Sequence, residues 1–213
     1  MGVSNLRQSN RHANGGERII SSFENSDISI DSIEKKSASP LCNNYPFQDQ
    51  PVYYGNLIYH ERSEFGGSRD IKCEYQYRTG SGLFALQSEV DTVLEQVIEK
   101  INSVASDEFH IYRNLSPRRG VLWNFISNSN RVIEISFLNE KGQETQADEF
   151  NNIELAEIAS NYPIDTATAV YKHGNKEILV RYTGGSIVVD TDDPEANEYI
   201  IQLFERDVIQ NTG

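Results

Sequence analysis

"GVLWNFISNSNRVIEISFLNEKGQ", residues 120–143, decides how this chain is read. Val121, Trp123 and Phe125 alternate with Leu122 and Asn124, and Ile133, Ile135 and Phe137 alternate with Glu134 and Ser136. A period of two puts successive side chains on opposite faces of a strand. Asn128, Ser129 and Asn130 between the two runs are turn-forming residues. The spacing predicts a hairpin with Trp123 on its buried face, and therefore an antiparallel sheet.

Towards the C-terminus the pattern continues. "NNIELAEIASNY" has the apolar spacing of a short helix that Pro163 stops. "TATAVYK", "EILVRYT" and "SIVVDT" predict a three-strand meander, turning at His173-Gly174-Asn175 and at Gly184-Gly185. Asp193 as N-cap and Pro194 at the first helical position then open a closing helix expected to bury Ala196, Tyr199, Ile200, Leu203, Phe204 and Val208.

Towards the N-terminus, apolar residues from Leu86 to Val104 recur at steps of three and four, which predicts an amphipathic helix over 83–104. Its carboxylates Glu89, Asp91, Glu95 and Glu99 fall on a solvated face, where acid–base chemistry is not expected. Residues 51–80 predict a hairpin, because Ile71, Cys73, Tyr75 and Tyr77 alternate with polar residues beyond a Gly66-Gly67 turn. Residues 1–50 carry little beyond Ile19, Ile20, Ile28, Ile30 and Ile33 to bury, so a flexible N-terminal segment is expected there. The alternation of Ile28 and Ile30 with polar residues gives that segment one candidate edge strand.

The expected fold is therefore α+β: an antiparallel sheet of meander hairpins covered by amphipathic helices, forming a single domain over 51–213. From residue 83 the expected order is helix, two strands, helix, three strands, helix. That order resembles roadblock and related longin-like platforms. The resemblance implies an interaction platform that dimerises or binds GTPases and other partners, and it implies nothing about individual residues. The "NRVIEISF" run (130–137) is also echoed by "NKEILVRY" (175–182), which raises the idea of two related strand–strand–helix units.

Composition narrows the function classes. A net charge of −13 with 38% hydrophobic residues describes a globular chain whose field repels nucleic acid and anionic lipid. The two cysteines, Cys42 and Cys73, cannot build a disulfide framework. No apolar run reaches the length of a membrane span, no signal-peptide core is visible, and Leu6 breaks the myristoylation motif that Gly2 suggests. A soluble cytoplasmic protein with no membrane partner is expected.

Chemistry leaves few marks. His12, His60, His110 and His173 lack metal-ligand spacing, so neither metal nor cofactor is expected. "DTDDPE" (190–195) alternates carboxylates like a calcium loop, but Glu195 and Ile201 stand where Gly and Glu belong. There is no GxSxG elbow and no glycine-rich phosphate loop. The candidate anion or partner site is arginine-based: Arg118 and Arg119 in "NLSPRRG", with Arg113 across the loop. The expected function is non-catalytic protein binding, with a basic or apolar protein, or a second copy of the chain, as partner. The alternatives are a small hydrolase or nuclease with dispersed carboxylates and, less expected, a nucleic-acid-associated protein.

Overall fold

The computed structural model describes residues 3–10, 16–62, 66–88, 94–105, 109–115, 117–150, 153–183 and 185–211. The fold is α+β, with ten strands paired antiparallel and five α-helices among the described residues. The chain divides into two compact units, one of residues 2–39 and 47–113, the other of residues 40–46 and 114–213 with Met1. The single domain expected over 51–213 is thus replaced by a division at residues 113 and 114, with the N-terminal segment built into the fold.

The first unit contains strands β1 (Val3–Gln8), β2 (Ile28–Ser37), β3 (Pro51–Arg62), β4 (Ser68–Arg78) and β5 (Leu83–Ser88), with helices α1 (Gly16–Ser21) and α2 (Leu94–Val104). Its strands lie in the order β2-β3-β4-β5-β1. The expected hairpin over 51–80 is β3–β4, in register from Val52 opposite Arg78 to Arg62 opposite Ser68.

The flexible reading of residues 1–50 is corrected here. Ile19, Ile20 and Phe23 are spaced to share one face of α1 and its following turn, and all three are buried with Ile28 in the unit's core. Phe23 stands in an aromatic cluster, 6.2 Å from Phe84 and 5.4 Å from Phe109 between ring centroids. The apolar residues of this segment are few, but they are placed where each is used. The edge-strand reading of Ile28 and Ile30 is the one that matches β2.

The helix expected over 83–104 is also shorter than its pattern. Leu83, Phe84, Ala85 and Leu86 are all buried, as suits a strand flanked by β4 and β1. Among the described residues the helix spans Leu94–Val104 and buries Leu94, Val97, Ile98 and Ile101. Glu89, Val90, Asp91 and Val93 lie outside the described residues, as do Gly2, His12 and Gly184.

The second unit contains α3 (Arg119–Ser127), β6 (Arg131–Leu138), β7 (Glu144–Gln146), α4 (Leu155–Asn161), β8 (Ile164–His173), β9 (Lys176–Thr183), β10 (Ser186–Asp190) and α5 (Pro194–Phe204). A π-helical turn, Glu205–Ile209, follows α5. The strands lie in the order β10-β9-β8-β6-β7. The meander and the Asp193 cap are as the sequence indicates, the Asp193 carboxylate accepting from the Glu195 amide at 3.0 Å.

The strand expected over 121–126 is a helix. Leu122, Phe125 and Ile126, spaced i, i+3 and i+4, are buried, whereas Trp123 is only half-buried. Asn128 is therefore the C-cap of α3 instead of a hairpin turn. With that helix in place, the order behind the roadblock and longin resemblance is absent. The proposed echo of 130–137 with 175–182 also changes meaning, since β6 and β9 belong to one sheet and β6 follows a helix. What does repeat is larger: α1-β2-β3-β4-β5-α2 in the first unit and α3-β6-β8-β9-β10-α5 in the second. In each, the four strands form a consecutive meander, with β7 and α4 inserted after β6 in the second.

Candidate functional site

Arg118 and Arg119 are adjacent and exposed at the start of α3. The Arg118 carbonyl accepts from the Val121 and Leu122 amides, each at 3.0 Å, and so serves the helix start. The Arg119 guanidinium donates to the Asn161 carbonyl at 2.9 Å, tying α3 to the end of α4. Cations near a helix N-terminus are disfavoured by the helix dipole, so a nearby anion would relieve them. Arg113, also exposed, belongs to the first unit, whereas Arg118 and Arg119 belong to the second.

A different feature of the second unit stands out by burial. Among the described residues, β7 pairs with only Ser136–Leu138, which leaves the outer side of Arg131–Ile135 without a strand partner. The register against β8 skips a residue between Val132 and Glu134, and the intervening Ile133 is 52% exposed. Among the described residues, Ile153 and Leu155, just before and at the start of α4, are the other large apolar side chains left exposed in this unit. On the first unit's edge strand, by contrast, the exposed positions include Glu34, Lys35 and Lys36, a charged pattern that discourages strand addition.

In the second unit, residues 40–46 are pinned to α5 and the π-turn, with Tyr45 buried. The Leu41 amide donates to Gln202 Oε1 at 2.7 Å, Tyr45 donates to Glu205 Oε2 at 2.5 Å, and Arg206 donates to the Asn43 carbonyl at 3.3 Å. Burial pushes the Cys42 thiol up despite the neighbouring Arg206, so it is not an activated nucleophile. Cys73 is held up in the same way.

In the first unit, the sheet packs one face against the helices, and around Ser29, His60 and Asp70 the other face is partly exposed. Ile28, Leu57, Tyr59, Ile71, Cys73 and Tyr75 point into the core that includes α1 and α2 residues. The alternate positions Ser29, His60 and Asp70 face the opposite way. His60 Nε2 is 3.2 Å from Ser29 Oγ, and His60 Nδ1 is 2.8 Å from Asp70 Oδ1. At the end of the same strands, Lys100 hydrogen-bonds Asp27 at 2.8 Å and holds its carboxyl below the usual value, with Arg62 3.6 Å away. Sequence reading had no access to the Ser29–His60–Asp70 chain. These residues are 31 and 10 positions apart and only strand register brings them together.

Among the described residues, no group of three or more His, Cys, Asp or Glu side chains is arranged to hold a metal, and no helix is long and apolar enough to cross a membrane. An open cavity of about 360 Å³ at the β3–β4 turn is lined by Glu61, Gly67, Ser68 and Arg69. No family model and no curated protein matches this chain.

Proposed function

We propose that this chain is a protein-interaction module that takes up an extended segment of a partner along the open half of β6. The observation that carries this reading is Ile133, 52% exposed on a strand whose outer side lacks a partner strand over Arg131–Ile135 among the described residues. An edge of that kind offers main-chain hydrogen bonds for affinity and side-chain contacts for specificity. The net charge of −13 favours a partner segment with apolar residues for Ile133 and basic residues around them. Arg118 and Arg119 are the cations in the same unit suited to a carboxylate on that partner. The role is binding without chemistry at this edge, in the cytoplasm.

Capture of partners from the native cell with wild-type chain and with Ile133→Asp tests the reading. A partner recovered by the wild type and lost by the variant, at unchanged thermal stability, supports it. Equal recovery by both chains overturns it. If the partner is a second copy, the same substitution shifts the mass measured by light scattering from dimer to monomer.

A further inference from the structure

The Ser29–His60–Asp70 chain goes beyond a binding role and concerns the other unit. We propose that it is an acyl-transfer site for small activated carboxylic esters, with Ser29 as nucleophile, His60 as general base and Asp70 as the group that orients the imidazole.

The argument starts from donor and acceptor inventory. An ionised carboxylate can only accept, so His60 Nδ1, 2.8 Å from Asp70 Oδ1, carries the proton. In the Nδ1–H tautomer the ring presents an unprotonated Nε2 to Ser29 Oγ, 3.2 Å away, to which the serine hydroxyl can donate. This is the tautomer that general-base activation of a serine requires, and the nucleophile–base and base–orienter distances lie at or close to hydrogen-bond range. Ser29, His60 and Asp70 come from β2, β3 and β4, three neighbouring strands fixed by the register that pairs Ser29 with Ile58 and His60 with Asp70. Rigid strands hold such groups more firmly than loops.

The position also offers an oxyanion donor. The amide next in the chain, Ile30 N–H, points away from β3 and reaches only Glu24 Oε1 at 3.4 Å, near the limit of a hydrogen bond. An amide directly after the nucleophile is a recurring oxyanion donor. An ester carbonyl at the β2 edge meets Ser29 Oγ from one side and this amide from another. Asn25 and Glu24 hydrogen-bond along this edge of β2, so an incoming carbonyl must displace the Glu24 carboxylate to reach the Ile30 amide.

In the reaction, Ser29 Oγ bonds to the carbonyl carbon as its proton passes to His60 Nε2. The carbon–oxygen bond to the alcohol breaks, and the departing alkoxide takes the proton from His60. Water then attacks the acyl-serine with His60 again as base, releasing the carboxylic acid and restoring the serine. Ester and water give acid and alcohol, with no other reactant. Because Asp70 is 67% exposed and His60 35%, water screens the orienting bond. The site is accordingly suited to good leaving groups and a slow turnover.

The test uses the full chain with p-nitrophenyl acetate as substrate and a fluorophosphonate as covalent probe, adducts being located by mass spectrometry. The expected result is an adduct on Ser29 of the wild type, absent in His60→Ala, and esterase activity that falls by about 100-fold in Ser29→Ala. Asp70→Asn reduces turnover by a smaller factor and shifts its pH profile. All three side chains are on the open face, so a thermal melt confirms that each variant is folded. Hydrolysis by Ser29→Ala at the wild-type rate, or no Ser29 adduct on the folded wild type, overturns the proposal. Neither result bears on capture of a partner at β6.

Discussion

Tyr45 donates its phenolic hydrogen to Glu205 across 2.5 Å, with the tyrosine 2% and the glutamate 0% exposed. The bond joins residues 160 apart in sequence and helps hold segment 40–46 to the π-turn after α5. Removing the hydroxyl in Tyr45→Phe takes a donor from a buried carboxylate while leaving the ring in place. The expected loss is about 1–3 kcal/mol of unfolding free energy, read from denaturant titration. A loss under about 0.3 kcal/mol would mean that the bond does not form in solution.

Two glycines are set by close approach. A Cβ on Gly55 would lie 1.9 Å from the Ser32 carbonyl oxygen, at the irregular pairing of β2 with β3. At Gly185 the backbone has φ of +80°, and a Cβ would meet Asn114 Cβ at 2.7 Å. Gly55→Ala and Gly185→Ala are each expected to lower stability by more than about 1 kcal/mol, whereas Gly120→Ala, with open space around it, should not. Thermal melts of the three variants distinguish these outcomes.

Acid sensitivity follows from two aspartates. The hydrogen bond from Lys100 lowers the Asp27 carboxyl, and the hydrogen bond from Lys176 lowers Asp193, in each case below the ordinary 3.8. A carboxyl depressed in the folded state contributes stability that is complete above its unfolded value and lost as pH falls through the folded one. The melting temperature of the wild type should therefore exceed that of Lys100→Met at pH 6, and the gap should close below pH 3.8. A gap that is unchanged at low pH would show that the lysine acts through packing alone.

Helix α3 gives a packing prediction. Phe125 lies 5.1 Å from the Tyr171 ring and 5.3 Å from Phe204, and Tyr171 donates to its carbonyl at 2.6 Å. Phe125→Ala is expected to cost about 3–5 kcal/mol, and Trp123→Phe, at a half-buried position, well under that. Denaturation curves for both variants check the helical assignment. A strand with Trp123 inward would bury Trp123 and Phe125 on one face and make both substitutions costly.

That segment also explains what sequence could and could not disclose. Val121, Trp123 and Phe125 satisfy a period of two, while Leu122, Phe125 and Ile126 satisfy a helical period, and so short a run cannot separate the two. Leu83–Leu86 failed for a related reason, because a strand buried on both faces has the same apolar run as the helix that follows it. The β8–β10 meander and α5 were legible because Gly174, Asp193 and Pro194 mark their ends chemically. The candidate sites were less accessible. Arg118 and Arg119 are visible as a basic pair, but the exposure of Ile133 depends on a bulge, and the contact of Ser29 with His60 depends on strand register.

The proposed docking at β6 is tested by measuring backbone amide exchange in the wild-type chain alone and in the complex recovered by capture. The expected result is new protection of Arg131–Ile135 in the complex, with capture abolished by Ile133→Asp. Unchanged exchange across Arg131–Ile135 in a stable complex would contradict it.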